Sequence, residues 1–193
     1  MLVSMKNVAV YCGSSSGNRA HFAVAARKLG AELARRDIGL VYGGGRVGLM
    51  GEIADAVLAG GGQVTGVIPR QLADLEVAHQ GLTRLECVET MAQRKTRMEE
   101  LADGFIAMPG GVGTLEELAE VLTMQQLGTT DGPVAFLDVA GYWQPFRTMF
   151  AAFAKQGFMQ QRYVDNLIFS DNPADLLDLC QEFRPLGPKW QRG

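Results

Sequence analysis

MPGGVGTLEE, residues Met108–Glu117, follows the apolar run Phe105–Met108 and leads into a segment with Leu115, Leu118, Ala119 and Leu122 at helical spacing. That order reads as strand, glycine turn, helix. Pro109 ends the strand ladder, and Gly110, Gly111 and Gly113 let the backbone turn and approach a ligand. The amides that open the helix then face an anion, a phosphate or a carboxylate. A tight turn with no ligand is the other reading of the same three glycines. Thr114 and Glu117 stand at capping-box spacing, so Glu117 either reaches back to cap the helix or touches the sugar or leaving group of a bound phosphoester.

Working outward, the same unit recurs along the chain. Val8–Cys12 reads as a buried strand, Gly13–Gly17 as a polar turn, and Phe22, Ala25, Ala26, Leu29 and Leu33 as a helix face. Gly39–Tyr42 is a second strand running into Gly43, Gly44 and Gly45, with a helix opening at Gly48. Val64–Ile68 is a third, followed by a longer connection from Arg70 to Gly81 that carries Glu76 and His79. Further strands are expected at Thr83–Val88, Phe105–Met108, Pro133–Leu137 and Leu167–Ser170. Helices are expected from Glu89 to Asp103, from Tyr142 to Lys155, and after Asn172 with Pro173 at the first position. Alternating strands and helices with nearly continuous apolar strands predict an α/β, Rossmann-like, doubly wound and mainly parallel sheet of about seven strands covered by helices on both faces. One such domain is expected over residues 1–183, with an irregular tail at 184–193.

In a parallel sheet the loops after the strands share the carboxyl edge. Gly13 and Ser14, Gly44 and Gly45, and the Pro109–Thr114 turn are therefore expected on one rim. None of these loops places GxGxxG where a dinucleotide site needs it, and no acidic ribose ligand follows the first loop at the right distance, so NAD is disfavoured. A net charge of -3 over 193 residues gives no basic field for a nucleic-acid polymer. Cys12, Cys87 and Cys180 form no CxxC pair and read as reduced core residues. No cationic leader or membrane-length apolar stretch is present, and a cytoplasmic location is expected. His21 and His79 lack ligand-like partners in sequence, so neither a metal nor a cofactor is expected.

Met91, Arg94, Lys95, Met98, Leu101 and Ala102 share one side of the helix after Thr90. A guanidinium on that inward side needs an anion, either a protein carboxylate at the sheet edge or a ligand; the remaining option is a stem that snorkels outward. The helix after the glycine turn is apolar over a wide arc, with Val121 and Met124 beside Leu115, Leu118 and Leu122. A homodimer contact through it and the Arg94 helix is expected.

Met91-Ala-Gln-Arg-Lys, PGGVGTLEE and the upstream YGGGRVGLMG together closely resemble the LOG family, the cytokinin riboside 5'-monophosphate phosphoribohydrolases, which are often mislabelled as lysine decarboxylases. The resemblance implies that Arg94 and Glu117 are catalytic. It further implies that Glu76, Arg94, Lys95, Gly110, Gly111, Val112, Gly113, Thr114, Leu115, Glu116 and Thr123 meet the nucleotide. Gly13, Ser14, Gly44, Gly45 and Met91 would complete the rim. The implied reaction is hydrolysis of the N-glycosidic bond of an N6-substituted adenosine 5'-monophosphate, giving free base and ribose 5-phosphate. Three rivals share these loops: a nucleotide or phosphorylated-cofactor carrier, a general nucleoside-monophosphate nucleosidase, and a Schiff-base decarboxylase using Lys95.

Overall fold

The apolar runs separated by glycine turns become parallel strands. The structure, a computed structural model, describes residues 5–75 and 77–190. Among these residues one seven-stranded sheet forms from β1 (Asn7–Tyr11), β2 (Gly39–Tyr42), β3 (Val64–Pro69), β4 (Arg84–Val88), β5 (Gly104–Ala107), β6 (Val134–Leu137) and β7 (Ile168–Ser170). Their spatial order is β4-β3-β2-β1-β5-β6-β7, and every neighbouring pair is parallel. The chain steps outward from β1 to β4, returns past β1, and steps outward again from β5. Strand order therefore reverses between β1 and β5, where a crevice opens at the carboxyl edge of such sheets.

The helices are α1 (Ala20–Arg35), α2 (Gly48–Ala59), α3 (Arg70–Asp74), α4 (Met91–Leu101), α5 (Val112–Leu127), α6 (Gln144–Lys155), α7 (Gln161–Asp165) and α8 (Pro173–Glu182). The period-two alternation of each strand divides the core into two layers. Val8, Val10 and Cys12, with Leu40 and Tyr42, pack against Leu29, Leu33, Ile53 and Val57 of α1 and α2 and against Leu176 of α8. Ala9 and Tyr11, with Val41, face Met98, Leu118, Val121 and Phe150 of α4, α5 and α6. Each fully buried leucine or isoleucine contributes about 1.5–3 kcal/mol.

Several expectations are corrected here. The Arg70–Gly81 connection contains the short helix α3, and α7 lies in a stretch with no sequence signal; at five residues each, neither is long enough to show helical periodicity. The helix expected over Glu89–Asp103 is shorter, Met91–Leu101, because Thr90 caps it by accepting from the Gln93 amide at 3.1 Å. Cys12 and Cys180 are buried, but Cys87 is exposed, since it lies on the outward face of the edge strand β4. From Phe183 to Trp190 no helix or strand forms. This tail is nonetheless docked: the Lys189 amide donates to the Gln126 carbonyl at 2.8 Å, and the Tyr163 hydroxyl to that of Gly187 at 2.8 Å. Among the described residues no helix is long and apolar enough to cross a membrane.

Candidate active site

Parallel order brings three glycine loops to one rim. The Gly13 amide donates to the Pro109 carbonyl at 3.1 Å, and the Leu49 amide donates to the Gly13 carbonyl at 3.1 Å. The approach is too close for side chains: a Cβ on Gly48 would fall 2.3 Å from the Ser14 carbonyl carbon, and one on Gly110 would fall 2.1 Å from Thr114 Oγ1. Between the loops lies a cleft of about 300 Å³ lined by Gly13–Gly17, Phe22, Leu49, Pro109–Gly111 and Tyr142. Gly44 and Gly45 face the connection after β3, where the His79 amide donates to the Gly44 carbonyl at 2.9 Å and Gly45 bridges Ala78. Glu76 lies outside the described residues.

Helix α5 begins at Val112 with Gly111 as its N-cap, and no side chain caps it. The capping box drawn at Thr114 and Glu117 is therefore absent; a box-like exchange occurs instead at α4, where Gln93 Oε1 accepts from the Glu89 amide at 2.8 Å. The opening amides of α5 have no acceptor one turn earlier. Gly111 and Gly113 have open space where a Cβ would stand, and Val112 is exposed. Free amides at a helix start, next to a cleft, suit an anion.

Glu117 turns inward. Arg94 Nη1 donates to Glu117 Oε1 at 2.7 Å, and Arg94 Nε donates to the Val67 carbonyl at 3.2 Å. Both residues are buried, Arg94 at 9% and Glu117 at 7% exposure. The partner of Arg94 is thus the motif glutamate and not a sheet-edge carboxylate; that bond belongs to Arg97, 2.7 Å from Glu86 of β4. Gly43 sits against the guanidinium, and a Cβ there would lie 1.9 Å from Arg94 Nη2. Burial raises the Glu117 carboxyl above the usual carboxylate range, and the charge and hydrogen bond of Arg94 oppose that rise. The pair leaves Glu117 Oε2 without a bond to Arg94.

Lys95, one residue on, is gripped by Glu116 and by Glu120, the latter at 2.6 Å. Its ammonium is held protonated to well above the usual lysine range, first by the hydrogen bond to Glu116 and then by that to Glu120. A Schiff-base lysine needs the opposite shift, so the decarboxylase reading of Lys95 loses its chemistry. Met91 is half exposed at the first turn of α4, on the side of Arg94.

Thr123 and Leu115 lie elsewhere on α5. Both line an apolar groove of about 460 Å³ formed with Phe146, Met149, Phe153 and Phe158. Val121 is fully buried, and the apolar face that α5 leaves uncovered runs onto α6. Two contributors had no sequence signal. Tyr142, expected as the first helical residue of α6, instead donates from its hydroxyl to the Gly110 carbonyl, and Tyr42 donates to the Gly45 carbonyl at 3.1 Å. Neither bond shows in apolar periodicity: the first joins Tyr142 to a loop 32 residues away that only the fold brings near, and the second is a side-chain bond across the short Gly43–Gly45 turn.

A doubly wound sheet with free amides, a buried ion pair and a cleft at its switch point defines a Rossmann-like α/β protein with a small-molecule crevice. The family model described as "Possible lysine decarboxylase" matches residues 50–180. A protein of Oryza sativa subsp. japonica, named Probable cytokinin riboside 5'-monophosphate phosphoribohydrolase, is 44% identical over 91% of this chain and 79% of its own length. The Arabidopsis thaliana cytokinin riboside 5'-monophosphate phosphoribohydrolase is 43% identical over 93% of this chain and 84% of its own. The chain belongs to the LOG family. Two solved structures share its fold at low identity. One is the molybdenum cofactor binding protein of the phototrophic bacterium Rippkaea orientalis, with a TM-score of 0.70 and 18% identity over 93% of this chain and 97% of that one. The other is the molybdenum cofactor carrier protein of Chlamydomonas reinhardtii, with a TM-score of 0.71 and 17% identity over 93% and 98%.

Proposed function

We infer that the chain hydrolyses the N-glycosidic bond of adenosine 5'-monophosphate and its N6-substituted forms, releasing free base and ribose 5-phosphate, the step that activates a cytokinin. The observation that carries the site assignment is the buried Arg94–Glu117 pair, 2.7 Å apart, beside the uncapped start of α5. The bond between the anomeric carbon and the base breaks with its electron pair leaving on the base, which takes up a proton. A water oxygen then bonds to that carbon and gives up a proton. Positive charge builds on the ribose in between, and an ionised Glu117 stabilises it while its free oxygen accepts from a sugar hydroxyl. Arg94 holds that carboxylate in place and favours its charged form against burial. The amides of Gly111, Val112, Gly113 and Thr114 take the 5'-phosphate, so a monophosphate is preferred to a nucleoside.

Lys95, Glu116, Glu76, Leu115, Thr123, Met91 and the Gly13–Ser14 and Gly44–Gly45 loops complete the proposed nucleotide site. Thr123 stands six residues beyond Glu117, about 9 Å along the helix, and faces the groove. A second copy docked on that groove would bring Thr123 to a nucleotide, which fits the expected homodimer contact through α5. Its apolar lining, with Phe158 at 87% exposure, supports the same pairing. Three unpaired cysteines, two of them buried, fit a reducing cytoplasm.

The test is release of free base from AMP, N6-isopentenyl-AMP, GMP and CMP. Adenine-type release that falls by roughly 10²–10³-fold or more in Glu117→Ala and in Arg94→Ala supports the assignment. Near-normal release by either folded variant removes it, and tight AMP binding without release makes the chain a carrier.

A further inference from the structure

Tyr142 is delivered to the rim by the turn that follows β6, which also seats Trp143 in the core. Beyond β6 the chain reverses through Ala140 at φ 53° and Gly141 at φ 76°, and the alanine stands in the left-handed region that L residues avoid. Asp138, itself buried, holds the reversal by accepting from the Trp143 amide at 2.7 Å and from the Gln144 side chain. The phenol ring meets Phe22 edge-on at 5.9 Å and Trp143 at 5.1 Å, yet Tyr142 stays 40% exposed. At the rim itself the turn secures one hydrogen bond, from the Tyr142 hydroxyl to the Gly110 carbonyl.

The peptide so gripped joins Gly110 to Gly111. With no Cβ on either side, such a peptide rotates as a unit at little steric cost. Its carbonyl and N–H point in opposite directions. Rotation would therefore put the Gly110 carbonyl where the Gly111 N–H had been, an acceptor facing an anion. A side chain at 110 would restrict that rotation, but none fits, because its Cβ would meet Thr114 Oγ1 at 2.1 Å and the Gly13 nitrogen at 3.0 Å. The restraint has to come from another element. The neighbouring carbonyl, that of Pro109, is already tied to the Gly13 amide.

We propose that Tyr142 is a positioning residue for the phosphate: by fixing the Gly110 carbonyl it keeps the Gly111 N–H turned toward the anion at the start of α5. This rests on the reading of that helix start as the phosphate subsite.

The test uses the full chain. Tyr142→Phe keeps the ring and its edge contacts and loses the hydroxyl. Inorganic phosphate and ribose 5-phosphate are titrated calorimetrically, and adenine release is followed from AMP and from adenosine. Loss of one hydrogen bond corresponds to about a tenfold weakening. The expected result is both anions bound about tenfold more weakly and the KM for AMP raised by the same factor. The kcat stays within about twofold, and kcat/KM for adenosine is unchanged. Equal losses for AMP and adenosine overturn the proposal, as does wild-type protein that binds neither anion. If wild type releases adenine and Tyr142→Phe binds both anions normally, the clamp falls and the nucleosidase stands. If wild type releases no adenine and Tyr142→Phe still weakens both anions, the reverse holds.

Discussion

Gly43→Ala tests whether the position of the Arg94 guanidinium, and not merely its presence, sets the rate. The new methyl carbon would stand 1.9 Å from Arg94 Nη2 and 3.0 Å from both Arg94 Cζ and Met50 Sδ. An ordinary contact is about 3.5 Å, so the guanidinium has to retreat by roughly 1.6 Å. That exceeds what the 2.7 Å bond to Glu117 Oε1 and the 3.2 Å bond to the Val67 carbonyl can absorb. Misplacement of about 1 Å near a reacting centre lowers rates by roughly 10²-fold, equivalent to about 2.7 kcal/mol of barrier. Overpacking should lower stability by about 1–3 kcal/mol, a loss the fold can survive. Adenine release from AMP and the thermal midpoint are measured together, with Gly61→Ala as the reference. Gly61 has φ 78° and nothing within 4 Å of a new Cβ, and it lies in the α2–β3 turn at the opposite edge of the sheet. Its alanine variant should lose stability but keep kcat. A folded Gly43→Ala protein with kcat within about twofold of wild type would refute the reasoning.

The acid limb of kcat/KM for AMP should lie above the ordinary glutamate value of about 4.3, because burial raises the Glu117 carboxyl and activity needs its ionised form. Activity is then lost as pH falls through the raised value, and a limb at or below 4.3 would assign the titration elsewhere. Sedimentation at micromolar concentration should show a dimer for wild type and a monomer for Phe158→Glu, which puts a charge on a side chain that is 87% exposed in the groove; a wild-type monomer or an unaffected variant contradicts the pairing. Treating the protein with pyridoxal phosphate and borohydride should leave Lys95 unlabelled, since Glu116 and Glu120 hold its proton; selective labelling there would restore the decarboxylase reading.

β1, β2, β3 and β5 are legible because they are short apolar runs closed by glycine or proline, and Asn172 and Pro173 mark the start of α8 without ambiguity. What local pattern cannot carry is pairing. Nothing in Val8–Tyr11 says that β2 lies on one side and β5 on the other, a choice made by how the crossover helices cover the two faces. Spacing misdirected the reading at Thr114 and Glu117: it fits a cap, but the helix starts at Val112, which puts Glu117 in the second turn facing Arg94, 23 residues away in sequence. Arg94 was singled out for lying on an apolar stripe, which its burial matches, whereas the tyrosine contacts to the glycine loops had no periodic trace at all.

The docked tail has a practical bearing on how this protein is handled. Lys189 is tied to Gln126, a residue of the groove wall, and Pro188 rests against Gly128 where α5 ends. Substitutions at Pro188 or Lys189 would therefore disturb that wall from outside it. Solution measurements of self-association are best made with this segment intact, since it borders the surface being weighed.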